Sequence, residues 1–110
     1  MPKTYDADAL IEELELDKED IVELMTDFKE FIIETLPQLE TAIESGNCSE
    51  ARSHAHSIKG SAGNLRINFV YESAKAMQDL ADAADADKLK ELLPELKSQV
   101  EDFLEELKDL

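Results

Sequence analysis

Residues 17–36, DKEDIVELMTDFKEFIIETL, decide the fold class. Ile21, Leu24, Met25, Phe28, Ile32, Thr35 and Leu36 recur at the three- and four-residue spacing that lines up one face of an α-helix, with Glu23, Asp27, Lys29, Glu30 and Glu34 among the positions between them. Asp17 reads as the N-cap, with Asp20 three residues on in the pattern of a capping box, and acids in a first turn suit the helix dipole. Pro37 is placed to kink the helix, yet Leu39 and Ile43 continue the stripe until Ser45-Gly46-Asn47 stops it.

Outward from this helix the same period returns. Upstream, Ala7 to Leu14 reads as a short N-terminal helical segment. Downstream, Ser49 is a suitable cap for a helix whose small and apolar residues Ala51, Ala55, Ile58, Ala62 and Leu65 form a narrow stripe fit for close packing. A third helix is expected from about Phe69 to Ala84, with Val70, Ala74, Met77 and Ala81 inward. Asp85 or Asp87 caps a fourth, which carries Leu89, Leu93, Leu96, Val100, Phe103, Leu104 and Leu107; Pro94 marks either its start or a bend. The expected fold is all-α: an antiparallel up-down four-helix bundle with a short extra N-terminal helix, formed by residues 1–110 as one domain.

Composition narrows the partners. A formal charge of −16 repels nucleic acid and anionic membrane surfaces, and it favours a monomer. The single cysteine, Cys48, forms no internal disulfide; it reads as a loop residue that fills space. No apolar run approaches the roughly 20 residues that span a bilayer, and the start MPKTYDADAL has neither a basic nor an apolar signal region, so a cytoplasmic location is expected.

Against that acidity, residues 51–70 contain Arg52, Lys59 and Arg66 and no acid. On a helix Arg52, His56, Lys59, Gly60 and Gly63 share a face turned away from the apolar stripe. Each helical glycine costs roughly 0.5–1 kcal/mol relative to alanine, and the return suggested here is clearance for another protein to approach the imidazole. Neutral imidazole is a nucleophile near neutral pH that can hold a phosphoryl group, and Lys59, one turn on, places a cation near its oxygens. A lone surface histidine beside a lysine is also simply what a solvated helix shows, and paired glycines can merely mark close helix packing.

The segment Ala55-His56-Ser57-Ile58-Lys59-Gly60-Ser61-Ala62-Gly63-Asn64-Leu65 resembles the signature of histidine-containing phosphotransfer domains, His-x-x-Lys-Gly followed by small residues and Leu-Gly. It is similar also to the phosphotransfer domain of chemotaxis histidine kinases. The resemblance implies that His56 is the phosphoacceptor, Lys59 its electrostatic partner, and Gly60 and Gly63 the clearance positions. Arg52, Ser61 and Arg66 would join them in docking partners. It further implies receiver domains of a hybrid histidine kinase or response regulator as partners, with the phosphorylatable aspartate and Mg²⁺ supplied by the receiver and no cofactor bound by this chain. One position departs from the pattern: Arg66 stands where the family usually has glycine. Arginine there would narrow the docking surface, alter partner choice or add a cation near the receiver's acidic pocket.

Other chemistries fare worse. His54 and His56 point about 200° apart on one helix and cannot share a metal ion, and the chain has no Glu-x-x-His pair of the kind that builds di-metal bundles. His54 reads instead as a flank residue half covered by a neighbouring helix. No phosphate-binding glycine loop is present, so the carrier would lack its own ATP site. Two function classes remain: a reversible, stoichiometric phosphorelay intermediate, and a helical interaction module, or relay remnant, that docks a partner without phosphoryl chemistry.

Overall fold

The computed structural model describes residue 12 and residues 14–108. Among them run four helices, α1 (Lys18–Glu44), α2 (Cys48–Asn64), α3 (Asn68–Asp82) and α4 (Ala86–Leu107). The N-terminal segment expected over residues 7–14 lies almost wholly outside the described residues; Glu12 and Leu14 within it are helical.

Each helix follows from its local sequence. Asp17 and Asp20 form the reciprocal capping box: Asp20 N donates to Asp17 Oδ1 at 2.9 Å and Asp17 N to Asp20 Oδ2 at 3.3 Å. Proline at 37 or 94 leaves unpaired the carbonyl four residues earlier, on Ile33 or Lys90; both of those residues are exposed, so water can take the bond and both helices run through. The cap of α2 corrects the sequence reading, and that of α4 settles it between the two candidates. Asn47, not Ser49, caps α2 by accepting from Glu50 N at 3.1 Å, which puts Cys48 in the first turn, half-buried against the core rather than in a loop. Asp85 caps α4, accepting from Lys88 N at 3.1 Å, and α3 begins after Ile67 without a side-chain cap.

The three connections repeat one device. Gly46, Arg66 and Ala84 each take a left-handed conformation (φ 72°, 58° and 55°). The next residue, Asn47, Ile67 or Asp85, then donates its N–H to the carbonyl five positions back, on Ala42, Ala62 or Leu80, at 2.9 Å in every case. This is the Schellman turn, and it satisfies end carbonyls while reversing the chain within three residues.

Turns this short force sequential helices to pack as antiparallel neighbours. α1 packs on α2, α2 on α3, α3 on α4 and α4 back on α1, closing an up-down four-helix bundle. The predicted stripes meet inside: Ile21, Met25, Phe28 and Ile32 of α1, Ala51, Ala55, Ile58 and Ala62 of α2, Val70, Ala74 and Met77 of α3, and Leu89, Leu96, Val100 and Phe103 of α4 are all buried. Phe28 and Phe103 meet edge to face, their ring centroids 5.3 Å apart. The alanines of α2 have the further effect of drawing its backbone close to α3, which sets the register of the site.

Candidate functional site

Where α2 and α3 run side by side, their residues pair in opposite order. Arg52 forms an ion pair with Asp82 through Nε and Oδ1. One turn along, His56 Nδ1 lies 3.4 Å from Gln78 Oε1, at the long end of hydrogen-bonding distance. Two turns further, Gly63 backs onto the ring of Tyr71. His56 is exposed, Lys59 is half-buried on the same helix face at i+3, and Gly60 is exposed beside them.

The two glycines differ in kind. A Cβ added at Gly60 would meet no atom within 4 Å, so nothing inside the chain requires glycine there. A Cβ added at Gly63 would lie 3.1 Å from Tyr71 Cδ2 and 3.3 Å from Cε2, tighter than ordinary contact, so Gly63 has a packing reason of its own.

The remaining sequence-selected residues spread out. Arg52 stays one turn from His56 but is held by Asp82. Ser61 turns toward α1 and lines a shallow cleft with Leu24, Asp27, Phe28, Phe31, Asn64 and Leu65. Arg66 lies past the end of α2, its Nη1 donating to Gly63 O at 3.0 Å. Because Arg66 occupies the left-handed position of a Schellman turn, a glycine at that site has a backbone reason independent of docking. His54 is half-buried, as its flank position implied. Among the described residues no group of three or more His, Cys, Asp or Glu side chains is arranged to hold a metal ion, and no helix is long and apolar enough to cross a membrane.

Gln78 was not singled out by sequence. It stands 22 residues from His56, and only the α2/α3 register joins the two. The available signal was a pair of matching stripes: Arg52, His56, Lys59 and Gly63 on α2 step by four, three and four, and Tyr71, Lys75, Gln78 and Asp82 on α3 repeat those steps.

Comparison with protein families matches the Hpt domain over residues 23–110, which takes in all but the beginning of α1 and the whole of α2 to α4. The chain belongs to the Hpt family. Hpt members of phosphorelays are phosphoryl carriers rather than kinases. The chain is also 29% identical over 107 residues to the phosphorelay intermediate protein rdeA of Dictyostelium discoideum, an alignment covering 97% of this chain and 42% of that protein. The chain thus spans less than half the length of the curated relative it matches. No solved structure matches it. Within the Hpt frame, the described geometry supplies an exposed imidazole, a neighbouring cation, a glycine with open space above it and a glutamine that engages one ring nitrogen.

Proposed function

We propose that this Hpt chain accepts a phosphoryl group on Nε2 of His56 from the aspartyl phosphate of one receiver domain and passes it to the aspartate of another. The observation that carries this reading is the contact between His56 Nδ1 and Gln78 Oε1, because an amide oxygen can only accept, so it selects the imidazole tautomer with hydrogen on Nδ1. The lone pair is then on Nε2, the nitrogen left for a partner. As the N–P bond forms, the acyl-phosphate O–P bond breaks and the carboxylate leaves with its electron pair; the Nδ1 proton stays in place, so no general base is needed.

The helix supplies little else, which suits phosphoryl transfer, where positioning and electrostatics do most of the work. Lys59 puts its ammonium beside the transferring oxygens. Gly60 leaves the approach to His56 clear for the receiver, which brings its aspartate and Mg²⁺. The carrier binds no nucleotide of its own; ATP enters the relay at a kinase, and the exchange takes place in the cytoplasm.

The test is intact-mass and phosphohistidine analysis after mixing the protein with a phosphorylated receiver and Mg²⁺. An added phosphoryl mass, acid-labile and alkali-stable and absent from His56→Gln, is the expected result. If a panel of receivers gives no transfer while helical content is intact, the relay reading fails and a docking module without phosphoryl chemistry takes its place.

A further inference from the structure

Three pairs fix the register of α2 against α3: Arg52 with Asp82, His56 with Gln78 and Gly63 with Tyr71. Between the second and third pairs one step is unaccounted for. On α2 that step is Lys59, three residues after His56; on α3 it is Lys75, three residues before Gln78. The register therefore sets two lysines opposite one another, one turn from the imidazole.

Such a pairing is unfavourable in isolation, since like charges at neighbouring positions repel. Acids that would neutralise Lys75 are near it in sequence, Glu72 at i−3 and Asp79 at i+4, yet among the described residues Lys75 forms no ion pair, and neither does Lys59. Lys75 is exposed and Lys59 half-buried, so both ammonium groups have the freedom to swing toward the solvent side of the seam, where His56 stands. In a chain of charge −16 this leaves two uncompensated cations facing each other next to one nucleophile.

We infer that Lys75 is a second cation for the phosphoryl group on His56, acting from α3 across the seam from Lys59. The phosphoryl dianion relieves the repulsion between the two lysines, and the two ammonium groups hold its oxygens from two helices rather than one. Phosphorylated His56 is thereby stabilised relative to the aspartyl phosphate of the receiver, so Lys75 sets how far the transfer equilibrium lies toward the carrier. This rests on the relay reading proposed above.

The experiment measures the equilibrium partition of phosphoryl groups between a receiver and the full chain for wild type, Lys75→Gln, Lys75→Arg and Lys90→Gln. Lys90 is an exposed lysine on α4, and its loss changes net charge by the same amount away from the seam. Lys75→Gln is expected to lower the phosphorylated fraction of the carrier, as a ratio to phosphoreceiver, by about threefold, the effect of one exposed charge pair, with the difference shrinking in high salt. Lys75→Arg should restore the ratio and Lys90→Gln should leave it at the wild-type value. A Lys75→Gln ratio equal to wild type overturns the inference, and so does an equal drop in Lys90→Gln, which would reduce the effect to overall charge. Absence of transfer in the wild type overturns the relay reading itself, a result distinct from either.

Discussion

Gln78 faces His56 across the α2/α3 seam, its Oε1 3.4 Å from Nδ1, and so links the orientation of an exposed imidazole to a helix that carries no part of the family's signature string. Replacing Gln78 by Leu removes the acceptor while keeping the bulk, and frees the ring to rotate and to exchange tautomers. Single-turnover transfer from a phosphoreceiver should slow by about three- to tenfold, the equivalent of one modest hydrogen bond of about 0.7–1.4 kcal/mol. Thermal stability should stay within about 0.5 kcal/mol of wild type, because the pair is at the surface. Unchanged transfer kinetics would show that Gln78 does not orient the ring.

Gly60 and Gly63 are predicted to separate. Gly60→Ala meets open space and gains helix propensity, so it should raise stability by about 0.5–1 kcal/mol while slowing transfer; Gly60→Leu should retain the fold and nearly abolish transfer. Gly63→Ala has to displace the Tyr71 ring and should instead lower the midpoint of urea unfolding. Denaturant titration beside a transfer assay on the same samples checks both. Gly60→Leu protein that transfers at the wild-type rate would remove the clearance role.

Two Schellman turns hold a non-glycine residue in the left-handed region, which disfavours side chains with a Cβ. Ala84→Gly should therefore stabilise the bundle by about 0.5–1 kcal/mol, a rise in Tm of about 2–8 °C for a domain of this size. Arg66→Gly gains the same backbone relief but gives up the bond from Nη1 to Gly63 O, so its net rise should be smaller. Calorimetry decides the order of the two. If Arg66 also selects a receiver, Arg66→Gly will change transfer rates among several receivers unequally; a uniform or absent effect would leave its position in the turn as its whole role.

The edge-to-face contact of Phe28 and Phe103 anchors α1 to α4 at the end of the bundle away from the α1–α2 turn. Phe103→Ala should cost about 3–5 kcal/mol, measured by chemical denaturation. Transfer per folded molecule should be unchanged, because neither ring belongs to the α2/α3 seam.

Much of the fold was legible because the apolar residues of all four helices keep a strict period and because Asp17, Gly46 and Asp85 punctuate them in ways backbone chemistry demands. The α2 cap was misplaced because Ser45-Gly46-Asn47-Cys48-Ser49 offers several competent caps, and the choice of Asn47 follows from the Schellman geometry set by Gly46. At the candidate site, the shared face of His56, Lys59 and Gly60 is readable from spacing on one helix, while the roles proposed for them come from the likeness to the family's signature string. Gln78 was not, because its place depends on how deeply the alanines of α2 let α3 approach. The contrast between Gly60 and Gly63 is likewise invisible in the string, since it depends on Tyr71, a residue of another helix.

The exposed setting of His56, on one outward seam of a narrow bundle measuring 42 × 24 × 22 Å, also dictates a kinetic order. A receiver covering the imidazole occupies the approach that every other receiver must use. On the relay reading, donor and acceptor therefore take turns, and the phosphoryl group stays on His56 between the departure of one partner and the arrival of the next. Under the proposed relay, throughput is then limited by partner exchange, and rival receivers compete for one exposed imidazole.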